Sequence, residues 1–236
     1  MHRFSRTEKI IGSRALEILA RSKVAIFGLG GVGSFAAEAL ARSGIGRFLL
    51  VDPDVVDISN INRQLHALSD TIGQPKVSLM AERFKQINPA VKVDARRERF
   101  TNLNSHILLT GDLSYVVDAI DDVDNKVHLL KSCYERNIPV VSAMGTGNKL
   151  NPAAFKVMDI SETSICPLAR KVRWELRKNN IYSGITVVCS GEKPCRPRVQ
   201  DTPENSTAPG SIAFVPPVAG MILASVVANK LIENIT

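Results

Sequence analysis

The chain has 236 residues, 44% of them apolar and 22% charged, with a net charge of +7. Such a chain can bury a large core as one domain. Its four cysteines (Cys133, Cys166, Cys189, Cys195) form no CxxC pair and its N-terminus has no apolar signal core, so a reducing cytoplasm and no disulfide framework are expected.

Residues 5–21 have the pattern of an amphipathic helix, with Ile10, Ile11, Leu16 and Leu19 set among charged residues. A buried strand is predicted at 24–27. It runs into the glycine turn Gly28-Leu29-Gly30-Gly31-Val32-Gly33, a helix follows to residue 41, and a second strand at 48–51 ends on Asp52. This is the strand–turn–helix–strand–acid order of a nucleotide-binding unit. The glycines allow a tight turn and close backbone approach to phosphate. The helix N-terminus offers N–H groups to an anion. Asp52 stands where a carboxylate binds a ribose hydroxyl.

An irregular loop, PDVVDISNINRQLHAL, leads to a helix predicted over 75–87, which Asn88-Pro89 ends. A strand over 91–97 and a short helix over 103–109 follow. The strand at 115–120 ends in an acidic cluster of Asp118, Asp121, Asp122 and Asp124. A helix over 124–136 then leads to a strand at 139–143. The alternation predicts an α/β, Rossmann-like fold: a mostly parallel sheet with helices on both faces.

Past Gly145-Thr146-Gly147 the rhythm changes to a smaller α+β portion. It has a strand at 155–160, a basic helix at 166–178, and a strand at 185–190 for which 212–215 is the expected partner. Residues 191–210 are rich in Pro, Gly, Ser and charge and are expected to form a long mobile loop. Residues 212–232 are apolar, but Pro216 and Pro217 leave only 218–228 uninterrupted, short of a membrane span. The expectation is a buried strand followed by a packed helix. The domain reading is a nucleotide-binding core over 1–147 and a C-terminal portion over 148–236, integrated in one domain.

Three features choose between nucleotides: Asn60-Ile61-Asn62-Arg63-Gln64, Gln74-Pro75-Lys76, and Asp121 past a buried strand. Adenylyl transfer needs the departing pyrophosphate neutralised, which Arg63 and Lys76 can do. Asp121 can hold a Mg²⁺ that bridges phosphates. Each residue has a plainer reading: Asp121 as a helix cap, Lys76 on the surface, Arg63 as structural. Their occurrence in order behind the glycine turn favours ATP over a dinucleotide. Of the four histidines, His66 is placed nearest the nucleotide. Residues 165–200 carry eight bases against two acids, and so nearly all the net charge. That suits a polyanion such as RNA, or a solvated helix face.

The stretches RFSR (3–6), GLGGVGS (28–34), VDPDVVDISNINRQ (51–64), GQPK (73–76) and DAIDDVDNK (118–126) resemble the ThiF/MoeB superfamily, adenylating enzymes related to the activators of ubiquitin-like proteins. The resemblance implies that Gly28, Gly30, Gly31, Gly33, Asp52, Asn60, Arg63, Gln64 and Lys76 bind ATP. It implies that Asp121 binds Mg²⁺, and that Arg63, Lys76, Asp121 and Arg6 serve catalysis. Arg6 would reach the ATP of a neighbouring subunit, hence a homodimer. The paired CxxC motifs of the zinc-binding members are missing, so no zinc is expected. The stretches ICPLARKVRWELRKNNI, VVCSGEKP and GSIAFVPPVAG resemble the tRNA threonylcarbamoyladenosine dehydratase branch. That branch implies ATP-dependent cyclisation of threonylcarbamoyladenosine 37 through an acyl adenylate. Arg170, Lys171, Arg173, Arg177 and Lys178, with the 191–210 loop, would then contact tRNA, and Trp174 or Tyr182 would be placed to stack a base. Cys195 is the cysteine weighed for catalysis, and a sulfur-transfer or cysteine-desulfurase partner is entertained. The alternatives are an adenylyltransferase for the C-terminal glycine of a sulfur carrier, and a protein that binds NAD.

Overall fold

Residues 2–196 and 209–233 are described by the structure, a computed structural model. The expected 191–210 loop therefore lies largely outside the described residues. Seven strands form one sheet: β1 (Lys23–Phe27), β2 (Arg47–Val51), β3 (Lys92–Arg96), β4 (Tyr115–Asp118), β5 (Val140–Ala143), β6 (Phe155–Asp159) and β7 (Thr186–Ser190). Their order is β3-β2-β1-β4-β5-β7-β6, parallel throughout except for β6, which pairs antiparallel with β7. Strands β1, β2 and β4 are almost wholly buried, as expected of a parallel sheet covered on both faces.

The helices are α1 (Ser5–Arg21), α2 (Gly33–Ser43), α3 (Lys76–Ile87), α4 (Ser105–Leu108), α5 (Val123–Glu135), α6 (Pro167–Lys178) and α7 (Val215–Ile232). The main core joins Ala36, Ala37 and Leu40 of α2 with Ala219, Leu223 and Val227 of α7 over the inner strands. A second core fixes α6 against β7 through Val172, Leu176, Val187 and Cys189.

Two expectations are corrected here. Residues 212–215 do not pair with β7, whose free edge is taken by β6 in the register Val157 to Val188. Four apolar residues are too few to tell strand from helix by period. The prolines do not precede the helix either: they lie in its first turn, where no intrahelical N–H bond is lost. The helix is thus 18 residues long, long and apolar enough by length and composition to cross a membrane. Its Ala219, Leu223, Ala224 and Val227 are buried within the core.

Candidate active site

The strand order reverses between β1 and β4, and a doubly wound sheet opens a crevice at the C-terminal strand ends there. A cavity of about 1020 Å³ occupies it and continues beyond β5. The glycine turn forms one wall. Gly28 has φ +87, and a Cβ on Gly33 would lie 1.8 Å from the Gly28 carbonyl oxygen, so neither position accepts a side chain. No side chain caps α2, and Gly30, Gly31 and Val32, which lead into it, line the cavity. An anion at that N-terminus would meet unpaired N–H groups.

Asp52 directly follows β2 and anchors the turn. Its Oδ2 accepts from the Leu29 N–H at 2.6 Å and its Oδ1 from the Asp54 N–H at 2.9 Å. Burial raises its pKa, against the opposing pull of Lys76. Each oxygen keeps a lone pair for another donor. Lys76 opens α3 and is buried, not a surface lysine; its Nζ lies 2.9 Å from Asp54 Oδ2 and 4.0 Å from Asp52 Oδ1.

The loop between β2 and α3 supplies the next wall. Arg63 donates from Nη1 to Ser59 O at 2.7 Å and to Asn62 Oδ1 at 2.8 Å, which holds the guanidinium at the cavity. Asn60 closes a short 3-10 turn by accepting the Asp57 N–H. Gln64 is buried at the cavity wall, and its Oε1 has no hydrogen-bond partner among the described residues. A buried amide oxygen without a donor is costly, so this atom fits a ligand's hydroxyl or amino group.

The acidic cluster after β4 separates into distinct roles. Asp122 caps α5 by accepting the Asn125 N–H at 2.9 Å. Asp118 is fully buried and bonded to Lys126 and Ser142. Asp121 is exposed at the cavity and makes no hydrogen bond or ion pair with a described residue. The capping role belongs to its neighbour, which leaves Asp121 available. Mg²⁺ takes one or two carboxylates together with phosphate oxygens and water. A single unengaged carboxylate in a cavity that also holds Arg63 and Lys76 fits that ion. Among the described residues no three His, Cys, Asp or Glu gather as a metal cage.

Several expected residues stand elsewhere. Arg6 is exposed on α1 and does not line the cavity of its own chain. His66 is buried behind the wall, with both ring nitrogens unpartnered among the described residues; burial, then the nearby Lys76, pulls its pKa down to about 4. It is a neutral core histidine. On α6, Arg170, Lys171, Arg177 and Lys178 are exposed, but Arg173 is half-buried and donates to the carbonyl and hydroxyl oxygens of Thr163. Its side chain tethers α6 to the preceding turn and is not displayed for tRNA. Lys178 lies 3.2 Å over the ring of Trp174, which is exposed, as is Tyr182.

Cavity residues that the motifs do not reveal are Arg99, Lys149 and Cys166. Arg99 comes from an irregular stretch after β3, and Lys149 from the turn after β5. Cys166, read as a structural thiol, stands immediately before α6. The neighbouring Cys189 thiol lowers its pKa against the burial penalty, and the Ala169 N–H adds to that effect. Cys189 is pushed upward in turn. Cys195 is exposed, and its N–H donates to Asn148 O at 2.7 Å.

Known proteins share this architecture. A tRNA threonylcarbamoyladenosine dehydratase of Bacillus subtilis is 48% identical over 245 residues, covering 100% of this chain and 96% of the relative. The crystal structure of the Escherichia coli tRNA N6-threonylcarbamoyladenosine dehydratase in complex with ATP superposes with a TM-score of 0.91 at 35% identity, over 99% of this chain and 95% of that one. The Escherichia coli sulfur carrier protein ThiS adenylyltransferase is more distant, 33% identical over 135 residues, 56% of this chain and 53% of the relative. The model of the ThiF family matches residues 4–236, and the chain belongs to that family.

Proposed function

We propose that this protein is an ATP-dependent tRNA threonylcarbamoyladenosine dehydratase that cyclises the threonylcarbamoyl group at adenosine 37. One observation carries the reading: the 48% identity to a dehydratase runs over the whole chain, including the C-terminal portion. The geometry supports it. One cavity joins the glycine turn, Arg63, Lys76 and Asp121 to the N-terminus of basic helix α6, where Pro167 and Leu168 line it.

In this reading ATP lies with its phosphates between the glycine turn, Arg63 and Lys76. Asp52 and Gln64 accept its hydroxyl or amino groups, and Asn60 holds the loop that presents Arg63. Asp121 would hold Mg²⁺, which supplies charge neutralisation across the phosphates. The threonyl carboxylate attacks the α-phosphorus and pyrophosphate leaves, giving an acyl adenylate. The carbamoyl group then closes on that carbonyl, a proton is lost, and AMP departs. A carboxylate is a poor electrophile; adenylation gives it a leaving group, after which closure is intramolecular and needs chiefly positioning. Arg6, away from its own cavity, serves that of a second copy in a homodimer. Arg170, Lys171, Arg177 and Lys178 meet tRNA phosphates. The protein works where tRNA is modified, in the cytoplasm.

The second reading, activation of a sulfur carrier, rests on the likeness to the ThiS adenylyltransferase over half the chain. It gives a sulfur-transfer partner a purpose but leaves the exposed bases of α6 without one. Exchange of labelled pyrophosphate into ATP decides between them. Stimulation by threonylcarbamoylated tRNA supports the dehydratase. Stimulation by a β-grasp carrier alone overturns it.

A further inference from the structure

Lys149 is 3% exposed, and its Nζ is buried with no hydrogen-bond partner and no ion pair among the described residues. It lines the cavity at the end away from Lys76, beside Gly145, Thr146 and Cys166. Glu192 lies near enough to feel its charge but does not bond to Nζ. Its carboxylate instead accepts the Leu150 N–H at 3.0 and 3.2 Å and the Asn151 N–H at 2.9 Å. The thiols Cys166 and Cys189 lie near enough to sense its charge, and neither bonds to Nζ. An ammonium held out of water with no bonded partner is disfavoured. A protein that keeps one at the wall of its active cavity leaves a place for an anion.

We infer that Lys149 holds the carboxylate of the substrate's threonyl group. The assignment rests on the function proposed above. The phosphates have Arg63, Lys76 and the glycine turn at the other end of the cavity, so the anion left for Lys149 is the attacking carboxylate. The ion pair exists only while that carboxylate is ionised. Adenylation removes its charge and cyclisation leaves a neutral ring, so Lys149 grips the linear tRNA and releases the cyclic one. It is both a positioning group for attack and a discriminator of substrate from product.

The test compares wild type with Lys149→Met and Lys149→Arg in the full chain. Wild type should bind linear tRNA about tenfold or more tightly than cyclic tRNA. Lys149→Met should abolish that preference, raise KM for linear tRNA by about a hundredfold, and leave KM for ATP within about twofold. Lys149→Arg should retain the preference. Without substrate, Lys149→Met should melt at or above the wild-type temperature, because an unpaired buried charge has been removed. A preference that survives in Lys149→Met, or KM for ATP rising together with KM for tRNA, overturns the assignment. So does a Lys149→Met protein that melts lower, since Nζ would then have a structural partner. If wild type dehydrates neither tRNA nor responds to it in pyrophosphate exchange, the proposed function fails instead, whatever the variants do.

Discussion

Asp118 and Asp121 stand three residues apart in very different surroundings. Asp118 accepts from Lys126 Nζ and from Ser142 Oγ, each at 2.6 Å, and both members of the ion pair are fully buried. Removing one member leaves the other charged and unpaired in the core. Lys126→Met should therefore lower the unfolding free energy by about 3–5 kcal/mol in a urea titration. Asp121 makes no hydrogen bond or ion pair with a described residue and is exposed. Asp121→Ala should leave the urea midpoint unchanged and cut turnover by about 10²–10³-fold. A shared loss of stability would contradict the division of roles. Sequence shows four similar acids after a buried run; what separates them is which carboxylate finds a donor, and that is decided by Lys126 on α5 and Ser142 on β5. Motif position nonetheless singles out Asp121, Arg63 and Lys76, because each sits at a set distance past a strand end. Lys149 and Cys166 stay hidden in the sequence because the turn after β5 and the start of α6 meet only in space.

Helix α6 shows what a charge count reveals and what it omits. Its bases are legible as a basic run, and their orientation is not. Arg173 turns inward to Thr163 while Arg170, Lys171 and Arg177 face outward. Arg170→Ala combined with Lys171→Ala should weaken tRNA binding and reduce the slope of log affinity against log salt by about one to two, with KM for ATP unchanged. Arg173→Ala should instead cost about 1–3 kcal/mol of stability by stripping Thr163 of its donor. An unchanged salt slope in the double variant would remove α6 from the tRNA surface. The alternating elements up to β5 read clearly from apolar period and breakers. The C-terminal portion reads less well, since a proline pair marks a helix start as readily as a break and 212–215 are too short to show a period.

At the scale of the whole molecule one cavity runs along the C-terminal ends of the strands from the glycine turn to the start of α6. In the proposed function the strand reversal between β1 and β4 takes the nucleotide and the cavity's end by β5 and α6 takes the substrate. Arg6 lies outside this cavity, so the proposed dimer makes a mixing prediction. Arg6→Ala and Asp121→Ala chains, each inactive alone, should recover activity when co-expressed, because a mixed dimer has one intact site. Random pairing gives about a quarter of the wild-type sites. Activity that stays at background would contradict composite sites. The central claim, that the ATP cavity acts on a carboxylate carried by tRNA, is tested most directly by mass. Purified protein with Mg-ATP and tRNA bearing linear threonylcarbamoyladenosine should yield nucleosides lighter by one water, with one pyrophosphate released per event. A nucleoside of unchanged mass after ATP has been turned over would contradict it.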